Sequence, residues 1–421
     1  MKKTILALTI TALASTAHAG VVTTDGADIV IKTKGGGFSA KTTDDQYSFA
    51  IGGRAQLDYN SYDGVMNAST EDVADAGSSA SDFFFRRARL EIKGHAGDWA
   101  YELAQNLGID GIESEIYSLS VTYTGFGDLF NIRVGKQKED FGLDDTGSSN
   151  WTTAMERSLP SNAFDTGENN GIKLHGANDI FTYSVGVYKE GTDTENDLDT
   201  AVTGRVVVRP IYTEGTILHL GAGITQRKAD ESFTGYSARL GVRGGSDGEA
   251  TKFSPEFTGS DGDADSIFNG DKSSAYNLEA AFASGPVHVM AEYYAGKIEA
   301  PGAVAGADDI EADGYYLQAA WILTGESRDY KTASGVFDKV KPASASGAWE
   351  VFARIEHLNV DQGTNIDLQG GEDADVLTLG VNWYATENVK VSLNYADADV
   401  DEDINGESDG KAVAARLQYA F

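Results

Sequence analysis

KAVAARLQYAF, residues 411–421, closes the chain on an alternation. Val413, Ala415, Leu417, Tyr419 and Phe421 fall on one parity, and Arg416 and Gln418 on the other. A period of two places the first set on one face of a β-strand and the second on the opposite face. The pattern recurs along the chain. In 47–59, Phe49, Ile51, Ala55, Leu57 and Tyr59 oppose Arg54, Gln56 and Asp58. In 129–138, Phe130, Ile132 and Val134 oppose Asn131 and Arg133. Stretches 181–189, 274–284, 347–359 and 388–398 repeat it. Segments of about ten residues that alternate in this way are the sequence sign of membrane-spanning β-strands. Alternation alone also fits a soluble β-sandwich.

The other end of the chain argues for the membrane. MKKTILALTITALASTAHAG has two lysines, an apolar run and Ala-His-Ala, the layout of a secretory signal cut after Ala19. This predicts a signal peptide at 1–19, an N-terminal periplasmic segment at 20–46 and a barrel at 47–421. The chain has no cysteine, so disulfides, thiolate metal sites and cysteine nucleophiles are excluded. No apolar run long enough for a membrane helix follows the signal. Glycine (49) and tyrosine (19) are common and proline (6) is scarce, which suits long strands with aromatic girdles. An alternating last strand ending in Phe resembles the C-terminal signature of bacterial outer-membrane barrels. The expected fold is therefore an all-β antiparallel transmembrane barrel in the bacterial outer membrane, in contact with lipid and lipopolysaccharide.

The formal net charge of −32 argues against nucleic acid as a partner. The acids cluster in turn-like stretches, among them 70–82, 190–199, 259–266 and 397–409. DGDAD (261–265) lacks the Gly and distal Glu of a calcium loop, so no metal and no cofactor are expected. The histidines beyond the signal form no recognisable pairing with a serine, and an enzyme is not expected.

Connectors fix the strand number. HAGD (95–98), GFGD (125–128), GAND (176–179), YTEG (212–215), SGP (284–286) and ATEN (385–388) are short, and the others are long and acidic. Barrels of this kind keep short turns in the periplasm and long loops outside. Seventeen segments look like strands. The turn at 212–215 sends 216–227 outward and the turn at 284–286 requires 274–284 to run inward. All of 228–273 is then one external connection, 233–243 does not span, and sixteen strands remain. A barrel that wide encloses a water-filled channel.

Lumenal charges set the selectivity of such a channel. In DFFFRRARLEIKG (82–94), Ala88, Leu90 and Ile92 take the lipid face, and Arg87, Arg89, Glu91 and Lys93 take the lumen. Arg86 has the wrong parity, so it sits above the membrane or is turned inward by a bulge. The connection 139–168, EDFGLDDTGSSNWTTAMERSLPSNAFDTGE, is long enough to carry function, and its acids Asp144, Asp145 and Glu156 are candidate constriction residues.

The chain resembles the phosphate-selective porins of the O and P type. The likeness rests on VTTDGADIVIKTKGG (22–36), GGRAQLDY (52–59), FRRARLE (85–91), SVTYTGF (120–126), DFGLDDTGSSNWTTAMER (140–157), GYYLQAAWILTGESRDYK (314–331), GAWEVFARIEHLNV (347–360), LGVNWYATENVKVSLNYADA (379–398) and RLQYAF (416–421). The resemblance implies a trimer whose third and fifth loops fold into the lumen. It implies an arginine ladder at Arg54, Arg86, Arg87, Arg157, Arg239 and Arg243, with Lys138 and Arg89 at selectivity-tuning positions; Arg133, on the polar face of 129–138, is a further anion-path candidate. Periplasmic lysines would be Lys32, Lys34, Lys331 and Lys341. Where the family has a central lysine after FGLE, this chain has Asp145 after FGLD. The expected function is a passive channel for phosphate, polyphosphate or other small anions; the alternative is a general or cation-preferring porin with an acidic constriction.

Overall fold

The computed structural model describes residues 21–22, 27–33, 37–67, 77–110, 113–190, 199–233, 235–244, 251–253, 256–258, 270–299, 309–361, 367–369, 373–404 and 407–421. Sixteen of the described strands make the wall: β1 Tyr47–Gly64, β2 Gly77–Ala96, β3 Trp99–Asn106, β4 Glu115–Tyr123, β5 Asn131–Lys138, β6 Glu168–Ala177, β7 Phe181–Lys189 and β8 Thr200–Thr213. They continue with β9 Thr216–Phe233, β10 Gly270–Ser284, β11 Val287–Glu299, β12 Ile310–Ile322, β13 Ala348–Asp361, β14 Asp373–Tyr384, β15 Val389–Ile404 and β16 Glu407–Ala420. Each pairs antiparallel with its neighbours, and β16 closes on β1 from Ala412↔Tyr62 to Ala420↔Arg54. Closure leaves no open edge, which the bilayer requires.

The register puts the predicted parities where they were expected. Val413, Leu417 and Tyr419 are exposed on the outside, while Arg416 and Gln418 are buried inside. Rings gather near the short turns, as at Trp99–Tyr123 (4.9 Å between centroids) and Trp349–Trp383 (5.7 Å). The terminal residue completes the seam. The Phe421 N–H donates to the Gly53 carbonyl and the Gly53 N–H to the Phe421 carbonyl, both at 3.0 Å. A Cβ on Gly52 would come within 2.6 Å of that Phe421 oxygen, so the Gly52-Gly53 pair leaves space for the chain end.

The stretch 233–243 is not a spanning strand. It belongs to a loop whose Ala238, Leu240 and Val242 are buried against the inner wall. The inner faces there are apolar: Ile298, Ile310, Leu358, Val360 and Val376 are covered by this loop and by Met155, Leu159 and Phe164 of the 139–167 loop. The polar-in rule fails here because loops replace water.

Two features go beyond the sequence reading. Residues Ile29–Lys32 and Phe38–Thr42, in the segment expected to be periplasmic, form strands, and the second pairs with β1 from Phe38↔Ile51 to Lys41↔Ser48. The long turn between β12 and β13 folds back as a hairpin, Arg328–Lys331 with Val336–Val340. Arg205 of β8 donates to the carbonyls of Ser334 (2.8 Å) and Gly335 (3.0 Å), which holds the hairpin tip against the inner wall.

Candidate functional site

The 139–167 loop crosses the lumen and carries two short helices, α1 Leu143–Thr146 and α2 Leu159–Ala163. Its backbone is fastened group by group. The Glu292 carboxylate of β11 accepts the N–H groups of Leu143 (2.6 Å) and Asp144 (2.8 Å) at the start of α1, where an anion is favoured. Gly142, with φ of 80°, makes this approach possible, because a Cβ there would lie 2.0 Å from the Tyr294 hydroxyl. Glu356 accepts the Leu159 N–H at 2.7 Å. Loop carbonyls meet inward-facing donors in sequence, all on the wall except Arg328 of the hairpin: Ser149 with Gln56, Asn150 with Gln418, Trp151 with Arg328, Thr152 with Lys390, Thr153 with Asn382, Met155 with Arg416 and Glu156 with Arg354. A buried loop must satisfy its peptide groups, and here the barrel wall does it.

The arginines of β1 and β2 stand beside this loop. Gln56 pairs with Arg87 and Leu57 with Phe85, so Arg86 is the extra residue of a β-bulge. The bulge turns it inward, where its guanidinium forks onto Glu156 at 3.0 and 2.9 Å. Glu156 also takes Arg416 (2.8 Å), which itself forks onto Asp58 at 2.7 and 2.7 Å. Burial alone would raise the Glu156 carboxyl, but Arg86 and Arg416 hold it well below the usual carboxylate range. Arg54 pairs with Glu91 and donates to Ser149 Oγ (2.7 Å). Arg89 donates to Asn106 Oδ1 (2.7 Å) and lies 3.2 Å over the Tyr117 ring. Arg87 donates to Gln56 Oε1 (3.0 Å). Arg87 and Arg89 have no carboxylate partner among the described residues.

Asp145 is not a free lumenal acid. It is 1% exposed and lies between Lys138 (2.8 Å) and Arg157 (3.0 Å). Burial pushes its carboxyl up to about 6 in spite of these two cations. Arg157 also donates to the carbonyls of Asp144, Asp145 and Gly147, and its guanidinium is held above its ordinary value by Asp145 and Asp165 against the cost of burial. Asp144 accepts the Ser158 N–H (2.9 Å).

The remaining expected residues are scattered. Arg239 and Arg243 share the half-exposed parity of their loop, with the Arg239 N–H bonded to Asn162 Oδ1 (3.0 Å). Arg133 sits low on β5 with Nε on Thr122 (3.0 Å). Lys331 pairs with Asp338 (3.1 Å) and Lys341 with Asp329; both line a cavity of about 680 Å³ at the short-turn end, together with Arg328 and Tyr212. Lys32 is exposed. Lys34 and DGDAD (261–265) lie outside the described residues. Sequence reasoning missed Arg416, Arg354 and Glu292, which hold the loop; the lumenal parity of their strands was the available signal.

Residues 49–421 match the family described as phosphate-selective porin O and P. Porin O of Pseudomonas aeruginosa is 37% identical over 442 residues, covering 97% of this chain and 96% of that protein. The chain belongs to the phosphate-selective porin O and P family. It is an outer-membrane porin, and family and fold indicate a channel rather than an enzyme. A protein of Caulobacter vibrioides is 25% identical over 85% of this chain and 70% of its own length. Among solved structures, an anion-selective porin from Comamonas acidovorans superposes with a TM-score of 0.57 at 14% identity, over 89% of this chain and all of that one. The trimer form of OmpT from Vibrio cholerae gives 0.57 at 12%, over 90% and 100%. At these identities the two structures speak for the shared barrel only.

Proposed function

We propose that the chain is a passive channel for phosphate or other small anions, drawn past the arginines beside the 139–167 loop. The observation that carries this reading is that Arg87 and Arg89 have no carboxylate partner among the described residues, while Asp145 is enclosed by Lys138 and Arg157. Guanidiniums with unspent N–H groups can exchange with the hydration shell of a tetrahedral oxyanion. Arg54, Arg86 and Arg157, already paired, set the field and the geometry, and Arg239 and Arg243 collect anions from the loop side. Lys32, Lys34, Lys331 and Lys341 serve the periplasmic mouth. The family, described as phosphate-selective, supports the same direction.

The test is the reversal potential of single channels under a KCl gradient. Chloride preference and block of chloride current by millimolar phosphate are expected, with block weakened about tenfold in Arg87→Ala or Arg89→Ala. Cation preference would refute the reading in favour of a general porin. Assembly is proposed to be trimeric, within outer-membrane lipid and lipopolysaccharide. Strands β3, β4 and β5 have only 8 or 9 residues. That is the lower limit for crossing the bilayer, so this side of the wall suits burial against a neighbouring copy. Cross-linking of the native protein tests it.

A further inference from the structure

A cavity of about 250 Å³ opens between the inner wall of β5–β8 and the hairpin tip, away from the arginines of β1 and β2. Its lining includes Arg133, Asp140, Lys173, His175, Ser184 and Ser334. It lies on the short-turn side of the loop: Arg133 and His175 are each three residues or fewer from the turn end of their strands. Outer-membrane barrels face that side to the periplasm.

Its polar groups are unevenly spent. Arg133 uses Nε on Thr122, and its two terminal nitrogens have no partner among the described residues. His175 Nε2 is buried with no hydrogen-bond partner. Lys173 Nζ donates to Asp140 Oδ2 (3.0 Å) and to the Lys138 carbonyl (3.1 Å), which leaves one proton over. Arg205 spends four of its five N–H groups on Glu279 and the hairpin carbonyls and acts as frame. Buried polar groups without partners are rare enough to need a reason. The single acid of the lining, Asp140, accepts from Lys173 at Oδ2 and is also hydrogen-bonded by the Ser184 side chain, which leaves part of its acceptor capacity open. Burial disfavours its charge, but Lys173 holds the carboxyl down at about 2, so it is an acceptor only.

We propose that this cavity is a second anion station, on the periplasmic side of the constriction, built for a tetrahedral oxyanion that still carries a proton, as phosphate does at neutral pH. Arg133, Lys173 and His175 supply donors to its charged oxygens, and Asp140 accepts its P–OH. Sulfate has no such proton, so it meets Asp140 as a like charge and binds more weakly. A station beyond the narrowest point gives an ion that has crossed a weak site to leave through. The proposal rests on the anion-channel reading.

The experiment uses oriented channels of the full protein in a planar bilayer in KCl, with inorganic phosphate or sulfate added to one side. In the wild type, phosphate added from the short-turn side blocks chloride current at least tenfold more strongly than sulfate. Arg133→Ala raises the half-blocking phosphate concentration from that side about tenfold and from the loop side less than twofold. His175→Ala shifts it in the same direction, and Asp140→Asn narrows the phosphate-to-sulfate ratio to below threefold. Among the described residues the Arg133 side chain makes a hydrogen bond only to Thr122, so its variant is expected to insert normally even if Asp140→Asn disturbs Lys173. Equal block by sulfate and phosphate, or an Arg133→Ala channel indistinguishable from wild type on the short-turn side, overturns the station while leaving the anion channel standing. A wild-type channel that prefers cations and ignores phosphate from both sides overturns both.

Discussion

Neutralising Asp145 makes the constriction more positive, and the chain carries a way to do this without mutation. The groups around Asp145 are Lys138, Arg157 and Asp165, with Glu168 3.7 Å from Lys138. Burial lifts the Asp145 carboxyl to about 6, so its negative charge is lost as pH falls through that value. The protonated fraction goes from about 3% at pH 7.5 to about 90% at pH 5. An ion passing roughly 7 Å away in a water-like dielectric feels this charge as about 0.6–0.8 kcal/mol. The effect has opposite sign for chloride and potassium, so the two contributions add in the permeability ratio. That gives close to tenfold without screening, and about three- to fourfold once 0.1 M salt screens the charge.

The assay is the chloride-to-potassium permeability ratio from reversal potentials at pH 7.5, 6 and 5. The ratio should rise on acidification with a midpoint near 6. Asp145→Asn at pH 7.5 should already show the acidic value, and its pH response across this range should be flat. KCl is used alone because phosphate changes its own charge over the same range. If Asp145→Asn keeps the full wild-type pH response, another group titrates and the assignment is wrong. If the ratio moves less than 1.5-fold in either experiment, Asp145 lies outside the field of the conducting ion.

Three further outcomes follow from the same contacts. Arg416→Met leaves the buried carboxylates Asp58 and Glu156 short of their shared cation, and should lower stability by about 3–5 kcal/mol in reversible urea unfolding in detergent. Glu292→Gln keeps the size of the side chain but removes the charge that holds the Leu143 and Asp144 N–H groups, so open-channel current noise should rise as α1 loosens. Gly142→Ala adds a Cβ 2.0 Å from the Tyr294 hydroxyl at a φ of 80°, so the loop must move; conductance should change more than it does in Gly147→Ala, where the nearest atom is at 3.2 Å.

The barrel was legible because one face of each strand meets lipid, and lipid tolerates few exceptions to period two. Parity also removed 233–243 from the wall, since an odd strand number would leave a barrel end on the wrong side. The hairpin at 328–340 was not legible. RDYK and VFDKV read as a solvated turn, and nothing local shows that Arg205 will hold the tip inside. Ile298, Ile310, Leu358 and Val360 hid in the same way, because their apolar inward faces depend on loops distant in sequence. Arg86 was half legible. Its parity demanded a bulge or a position above the membrane, and the register between β1 and β2 supplied the bulge. Asp145 could only be read as an acid in a cation's place, because its enclosure by Lys138 and Arg157 requires the loop to fold.

A chain with net charge −32 can still present cations to an ion, because charge in a lumen counts only after internal pairing. The wall carboxylates are largely occupied: Glu279 by Arg205, Glu350 by Arg328, Asp58 by Arg416, Glu356 by Arg354, and Glu292 by peptide N–H groups and two tyrosines. A carboxylate bound to a buried guanidinium presents little net field beyond its neighbours, and removing its partner costs more than the pair contributes. These pairs therefore act as the fastening of the loop and hairpin. What an ion meets is the residue of that pairing, and among the described residues Arg87, Arg89 and Arg133 are left with a cation and no carboxylate. On this argument selectivity follows the unpaired cations rather than the number of acids. Adding a surface acid to an external loop should then leave the permeability ratio unchanged, whereas introducing a carboxylate beside Arg87, as in Gln56→Glu, should lower chloride preference several-fold.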